Sequence, residues 1–317
     1  MKIYVAGHRG LVGSSIVKML IRHGVDPDDI ITRSSKELDL RDQRSVELFF
    51  KENRIDQVYL AAAYVGGIVA NNKYPADFIY NNLMIQTNVI NASYVYEVDR
   101  LLFLGSTCVY PKFAENPIKE EYLLTGKLES TNEAYAVAKI AGVKMCESYN
   151  RQFGTDFRSV LPCNLYGPGD NYDPDGGHVI AGIINKMHYA KINNLPTISI
   201  WGTGNARREF LFAEDMAEGC IRVMNANKSV YDSLTQPMQS YVNLSLGVDI
   251  TIKELVDVIK QVVGYDGNIE YDTSKPDGTL NKLTDNTRIT DMGWRPRTAL
   301  YDGLKVTYKD YIAKLEK

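Results

Sequence analysis

A doubly wound α/β fold built on a parallel sheet is predicted by three features of the chain's first half. Short apolar runs alternate with longer stretches of helical periodicity. The first run, Lys2-Ile-Tyr-Val-Ala6, passes straight into Gly7-His-Arg-Gly10-Leu-Val-Gly13. Residues 14–23 then set Ile16, Val17, Leu20 and Ile21 at helical spacing. Strand, glycine turn and helix in this order aim backbone N–H groups and a helix N-terminus at a pyrophosphate. Gly7, Gly10 and Gly13, with Leu11 and Val12 between them, are therefore the candidate dinucleotide cradle of a Rossmann-type unit. The spacing is G-x-x-G-x-x-G rather than the commoner G-x-G-x-x-G.

The next strand, Asp29-Ile-Ile-Thr32, runs into Arg33 and Ser34. An NAD site places an acid there for the ribose 2′-hydroxyl, whereas arginine suits a 2′-phosphate. Arg33, with Arg9 inside the glycine loop, favours NADP(H). Alternation continues with a helix over 43–53, a strand at Gln57-Val-Tyr-Leu60, a long helix over 76–97 and a buried strand from Leu101. That strand leads into Gly105-Ser106-Thr107-Cys108, which sets a hydroxyl and a thiol just beyond a strand's carboxyl end. The spelling Ser130-Thr-Asn-Glu133 predicts a capping box opening the next helix. On that helix Tyr135 and Lys139 are four residues apart, so phenol and ammonium leave the same face. A neighbouring cation lowers a phenol's pKa, which makes Tyr135 a candidate general acid or base. Residues 157–161 form a further strand.

Composition narrows the class. With 317 residues, 44% hydrophobic and 24% charged, the chain has core enough for one large or two medium domains. A net charge of −3 with scattered Lys and Arg leaves no footprint for nucleic acid or an anionic membrane. No apolar run approaches the ~20 residues that span a bilayer. Cys108, Cys146, Cys163 and Cys220 form no C-x-x-C, which argues against a disulfide scaffold or a metal site. The chain opens directly on a strand, so a reducing, cytoplasmic setting is expected.

Glycine loop, strand-end Ser106 and Tyr135-x-x-x-Lys139 together resemble the extended short-chain dehydrogenase/reductase family. Within it the chain is similar to the branch that epimerises and reduces GDP-linked 4-keto-6-deoxysugars. The stretches that carry this are Ala6-Gly-His-Arg-Gly10, Val65-Gly-Gly-Ile-Val-Ala-Asn-Asn72, Tyr74-Pro-Ala-Asp-Phe-Ile-Tyr80, Gly105-Ser-Thr-Cys-Val-Tyr-Pro111, Asn164-Leu-Tyr-Gly-Pro168, Arg208-Glu-Phe-Leu211 and Pro276-Asp-Gly-Thr279. The resemblance implies a reductase triad of Ser106, Tyr135 and Lys139, with Tyr135 protonating the C4 oxygen. It implies that Cys108 and His178 exchange the protons at C3 and C5, and that Tyr135, Lys139 and His178 also border the cofactor. A thiol and an imidazole suit proton removal next to a ketone. Relatives pair the two long helices as a four-helix bundle, so a homodimer is expected.

Past Pro168 the alternation loosens. A polar loop over 169–177 precedes a helix over 179–190, a strand over 197–202, and a strand over 208–212 leading into a helix from Ala213. Ser240 to Leu244 reads as a strand, and Thr251-Ile-Lys-Glu254 as a second capping box. The expected organisation is an NADP-binding unit over 1–165 and a smaller α/β nucleotide-sugar unit over 166–317. Parts near 208–218 and 240–246 return to the first. By resemblance, Trp201 lies near the sugar or phosphates, Arg208 and Lys282 bind the diphosphate, and Asn164 and Val179 are further substrate contacts. Lys186 stands where the family usually has arginine, which loses a bidentate fork. Tyr64 stands where related chains carry lysine. Both departures leave room for a GDP-linked 4-keto-6-deoxyheptose, or for reduction at C4 alone. A silent NADP-binding regulator on the same fold is disfavoured because Tyr135 and Lys139 are both present, beside Ser106.

Overall fold

Six parallel strands make the central sheet, and the chain reaches them in an order that opens a crevice along one edge. The structure, a computed structural model, describes residues 1–173, 177–275 and 277–316. Pro174, Asp175 and Gly176 of the predicted polar loop, and Pro276 of Pro276-Asp-Gly-Thr279, lie outside the described residues.

From the start, β1 (Ile3–Ala6) feeds α1 (Leu11–Arg22), β2 (Ile30–Ile31), α2 (Gln43–Glu52) and β3 (Gln57–Leu60). Then come α3 (Ile68–Lys73), α4 (Pro75–Val95), β4 (Arg100–Leu104), α5 (Glu133–Phe153), β5 (Phe157–Pro162) and β6 (Asn164–Tyr166). The remainder supplies α6 (Val179–Ile192), β7 (Thr197–Trp201), β8 (Arg207–Arg208), β9 (Phe210–Phe212), α7 (Ala213–Asn225), α8 (Lys228–Leu234) and β10 (Tyr241–Leu244). It closes with β11 (Ile250–Thr251), α9 (Ile252–Val263), β12 (Asn268–Asp272), β13 (Asn281–Lys282), α10 (Thr287–Asp291) and α11 (Leu300–Leu315).

The large sheet runs β10-β5-β4-β3-β1-β2. Its strand order reverses between β1 and β3, and in such sheets ligands bind beyond the carboxyl ends at the reversal. Both faces are buried, and alternate residues serve opposite cores. Tyr4, Phe103 and Leu101 pack under α2, α4 and α5 with Phe49, Val89 and Val143. Ile3, Leu102 and Leu104 pack under α1 and α7 with Ile16, Leu20, Met216 and Cys220. Each such side chain contributes about 1.5–3 kcal/mol on burial. At Gly142, an added Cβ would lie 2.3 Å from the Phe103 ring, so only glycine lets α5 sit this close to β4. That approach places Tyr135 and Lys139 at the end of β4.

A third core holds Ile183, Met187, Ile198, Phe210, Leu255 and Leu304. Small sheets border it: β7 with β12, β6 with β9, and β8 between β11 and β13.

Two local expectations change. The predicted 208–212 strand breaks at Glu209, with Arg207–Arg208 in one small sheet and Phe210–Phe212 in another. The break is anchored by the buried Glu209 carboxylate, which accepts from Gly247 N–H (2.9 Å), Thr284 N–H (2.8 Å) and the Thr284 hydroxyl (2.6 Å). The capping box at Ser130–Glu133 does not form, because Glu129 takes the Thr131 N–H and is itself held by Lys112 at 3.0 Å. A 3-10 turn over Ser130–Asn132 results, and α5 starts from Asn132. The second box, Thr251 with Glu254, is complete. Among the described residues no helix is long and apolar enough to cross a membrane, and no cluster of His, Cys, Asp and Glu is placed to hold a metal ion.

Candidate active site

The glycine loop lies at the reversal of strand order. Gly7 has φ +86°, and a Cβ there would meet the Ala62 backbone nitrogen at 2.7 Å. At Gly13 a Cβ would meet the Gly7 carbonyl oxygen at 2.2 Å. Loop, helix and the segment after β3 thus close to backbone contact, which only glycine permits. Gly10 caps α1 without any side-chain bond, and the helix has no acid in its first turn. Leu11 and Val12 begin that helix, so its N–H groups remain available to an anion.

Arg9 and Arg33 are exposed and converge on Glu37. That carboxylate is held below its ordinary range chiefly by the Ser34 hydroxyl and N–H, and further by the two arginines. The Arg33 guanidinium also lies 5.6 Å from the centre of the Phe49 ring. Arg33 at the exit of β2 and Arg9 in the glycine loop, with no acid at Thr32–Ser34, fit an adenosine 2′-phosphate.

Ser106 and Cys108 leave the end of β4 in a single 3-10 turn, where the Cys108 N–H donates to the Ser106 hydroxyl at 3.2 Å. Lys139, only 3% exposed, donates to the Leu104 carbonyl at 2.7 Å, with its ammonium 5.8 Å from the centre of the Tyr135 ring. The expectation that Lys139 lowers the Tyr135 pKa is not met. Burial pushes the phenol above its ordinary value and the nearby Cys108 adds to this, while the Ser106 hydroxyl pulls weakly the other way. Burial also draws the Lys139 ammonium down to about 7, so it is a poor source of positive potential. A phenol kept protonated is the form that donates to a ketone oxygen.

Support for Tyr135 comes from residues that sequence reasoning passed over. Phe78, fully buried, meets the Tyr135 ring edge-on at 6.3 Å and the Tyr64 ring at 4.9 Å. Asn82 fixes Tyr64 in turn, accepting from its N–H at 3.0 Å and donating to its carbonyl at 2.9 Å. Apolar and amide residues on a long helix give no sequence signal beyond core. Lys112 and Glu129 were missed as well. Their ion pair lines the same small cavity as Cys108, Thr279, Asn281 and Lys282.

The candidate substrate residues fall into three groups. Arg208 and Lys282 are paired across adjacent parallel strands, which sets two cations side by side, Lys282 in the cavity with Cys108. Burial lowers the Arg208 pKa, and Cys108 and Asp277 partly offset this. Asn164 donates to the Glu209 carbonyl at 2.9 Å, which ties it to Arg208. Trp201 ends β7 at 57% exposure with the Lys275 ammonium 5.7 Å from its ring, so it is no core aromatic. Asp277 fastens this rim by accepting from the Thr203 N–H and hydroxyl at 2.7 and 2.8 Å. His178 caps α6 and Val179 opens it, while Lys186, about two turns further along the helix, donates to the Ser199 carbonyl at 2.7 Å.

Residues 3–233 match the family model described as "NAD dependent epimerase/dehydratase family". The chain belongs to this family. The GDP-L-fucose synthase of Escherichia coli K12 is 51% identical over 316 residues, covering 100% of this chain and 98% of that one. Among solved structures, the GDP-mannoheptose C4 reductase of Campylobacter jejuni with NADP bound is 38% identical, with a TM-score of 0.88 and 98% of each chain covered. The GDP-D-glycero-L-gluco-heptose synthase of the same organism, determined with NADPH, is 36% identical, with a TM-score of 0.91 and again 98% of each chain covered.

Proposed function

We propose that the chain is an NADPH-dependent 3,5-epimerase and 4-reductase of a GDP-4-keto-6-deoxysugar, GDP-4-keto-6-deoxymannose, giving a GDP-L-sugar such as GDP-L-fucose. The observation that carries this is the convergence of two chemistries at one strand end. A phenol held protonated near Lys139 lies beside a half-buried thiol one turn past β4, and that thiol shares a cavity with Lys282 of the Arg208–Lys282 pair. The full-length likeness to a GDP-L-fucose synthase supports the same reading.

The residues act in sequence. Arg208 and Lys282 hold the diphosphate, and Trp201, Asn164, Val179 and Lys186 bound the rest of the nucleotide sugar. Cys108 and His178 remove and return the protons next to the ketone, through an enolate whose charge rests on the C4 oxygen. Ser106 and Tyr135 bond that oxygen, and Tyr135 protonates it when C4 is reduced. NADPH, when bound, supplies the hydride. Gly7, Gly10 and Gly13 with the start of α1 would hold its pyrophosphate, Arg9 and Arg33 its 2′-phosphate, and Lys139 would lie along it.

Two variants separate the steps. Cys108→Ser is expected to cut solvent exchange at C3 and C5 by about 100-fold or more while a pre-epimerised ketone is still reduced. Tyr135→Phe is expected to abolish reduction, with NADPH binding retained. If Cys108→Ser leaves exchange unchanged, Cys108 has no part in the epimerisation.

A second reading keeps the chemistry and lengthens the sugar. Lys186 is turned to the β7 backbone instead of presenting an arginine fork, and Tyr64 replaces a lysine, so a GDP-4-keto-6-deoxyheptose is the alternative substrate. The solved heptose enzymes support it, one of them described as a C4 reductase. The same proposal assigns 1–165 to the cofactor and 166–317 to the nucleotide sugar, with β10 completing the first unit's sheet. It also includes a cytoplasmic setting and a homodimer formed through α4 and α5.

A further inference from the structure

A buried carboxylate near His178 has no part in the steps above. Asp170 lies between β6 and α6 and is 6% exposed. Its Oδ1 accepts from the Asn171 N–H at 2.8 Å, and its Oδ2 has no hydrogen-bond partner among the described residues. The same Oδ1 lies 3.7 Å from Nδ1 of His178. A carboxylate buried with an unmet oxygen is costly unless a donor or cation faces it.

The C-terminal helix pins the loop that carries Asp170. Asp310 accepts the Gly169 N–H at 2.9 Å, and the Thr307 carbonyl accepts from the Tyr172 hydroxyl at 3.1 Å. Lys314 pairs with Asp310 at 3.1 Å and turns its ammonium to the Asp170 carbonyl (3.4 Å), not to the carboxylate. Among the described residues, the charged and titratable groups tied to Asp170 by these contacts are Tyr172 on its own loop, Asp310 and Lys314 on α11, and His178 at the head of α6. Of these, the imidazole is the group that faces the carboxylate.

We propose that Asp170 is a positioning residue for His178: it holds the imidazole in the Nδ1–H tautomer and offsets its charge when Nε2 takes up a proton. At 3.7 Å the pair is longer than a hydrogen bond, and a movement of about 0.8 Å closes it. Nε2 is then the nitrogen that exchanges a proton with the carbon next to the ketone, and the electron pair rests on the carbonyl oxygen as an enolate meanwhile. A base oriented by a buried carboxylate is the arrangement that triads use. This inference rests on the reading of His178 as an acid/base of the epimerisation.

The test is Asp170→Asn in the full chain with NADP⁺ bound, following deuterium uptake at C3 and C5 of GDP-4-keto-6-deoxymannose by NMR. Exchange turnover is expected to fall about 10- to 100-fold, part of what a positioned acid/base supplies. KM for the nucleotide sugar and NADPH affinity are expected to stay within about twofold. A loop-holding role would move KM and cofactor affinity along with turnover, and that result overturns the proposal. His178→Ala is the control. If it abolishes exchange at one carbon while Asp170→Asn does not slow it, the role of Asp170 is overturned. If His178→Ala also leaves exchange intact, the fault lies with the assignment of His178, and the proposal falls with it. A second measurement needs no Asp170 variant: ¹⁵N NMR of wild type, with the resonances assigned by their loss in His178→Gln. The Nδ1–H tautomer is expected, and the Nε2–H tautomer overturns the proposal.

Discussion

Burial shifts Lys139 and Tyr135 away from their charged forms, and at these two residues the sequence was half legible. The four-residue spacing placed both on one face of α5. It carried no information on how deeply each would sink, because that depends on Phe78 and on Gly142 letting α5 approach β4. The depth has a consequence for stability. An unfolded lysine keeps its proton up to about 10.4, the folded one only up to about 7. Between those values the unfolded chain binds the extra proton, so stability rises with pH; below about 7 both forms are charged and the cost is present in full. Lys139→Met is therefore expected to raise the cofactor-free Tm at pH ~6.5 by about 2 °C or more, while reductase turnover falls at least about 100-fold. Thermal melts and an absorbance assay at 340 nm check both. A lower Tm in that variant would contradict the burial argument.

At the scale of elements, the strands long enough to show alternation or a continuous apolar run were readable, and so were helices with wide apolar stripes. The two-residue strands β8, β11 and β13 were not, since two residues have no period. Yet those strands align Arg208 with Lys282, so the element that gathers the candidate substrate residues was the least legible one. The capping boxes teach the same point. Thr251 and Glu254 close theirs locally, whereas Glu129 diverts the Ser130 box because Lys112, from the preceding loop, holds it. The glycine turn is the element whose conformation sequence and structure describe alike. Gly13→Ala sets a methyl 2.2 Å from the Gly7 carbonyl, a backbone atom that cannot move aside without moving β1. It is expected to weaken NADPH binding by roughly 10-fold or more and to destabilise the fold by about 1–3 kcal/mol. Fluorescence titration and denaturant melts measure the two. Unchanged NADPH affinity would remove the loop from the cofactor site.

For the whole molecule, the parallel sheet and its ligand-binding edge follow from alternation of strands and helices along the first half, whereas the strand order does not. That residues 240–246 return to the first unit was expected, but no local pattern says which edge a late strand joins, and β10 joins beside β5. Assembly is argued at this scale too. Tyr80 and Val95 on α4 and Val137 and Phe153 on α5 remain exposed. If a second copy covers these helices, the protein sediments at twice its 35.7 kDa chain mass. Tyr80→Glu combined with Val137→Glu is then expected to give monomers, and an unchanged sedimentation coefficient would place the interface elsewhere. The site itself is intelligible only at full scale, since Cys108 and Tyr135 come from the first half and Arg208, Lys282 and His178 from the second. The most direct measurement of that joint site is incubation with GDP-4-keto-6-deoxymannose and NADPH in deuterated water, followed at 340 nm and by NMR of the product. Oxidation of NADPH with deuterium at C3 and C5 of an L-configured product is the expected result. Reduction at C4 without deuterium would contradict the account, leaving a reductase in which Cys108 and His178 have no part in proton transfer.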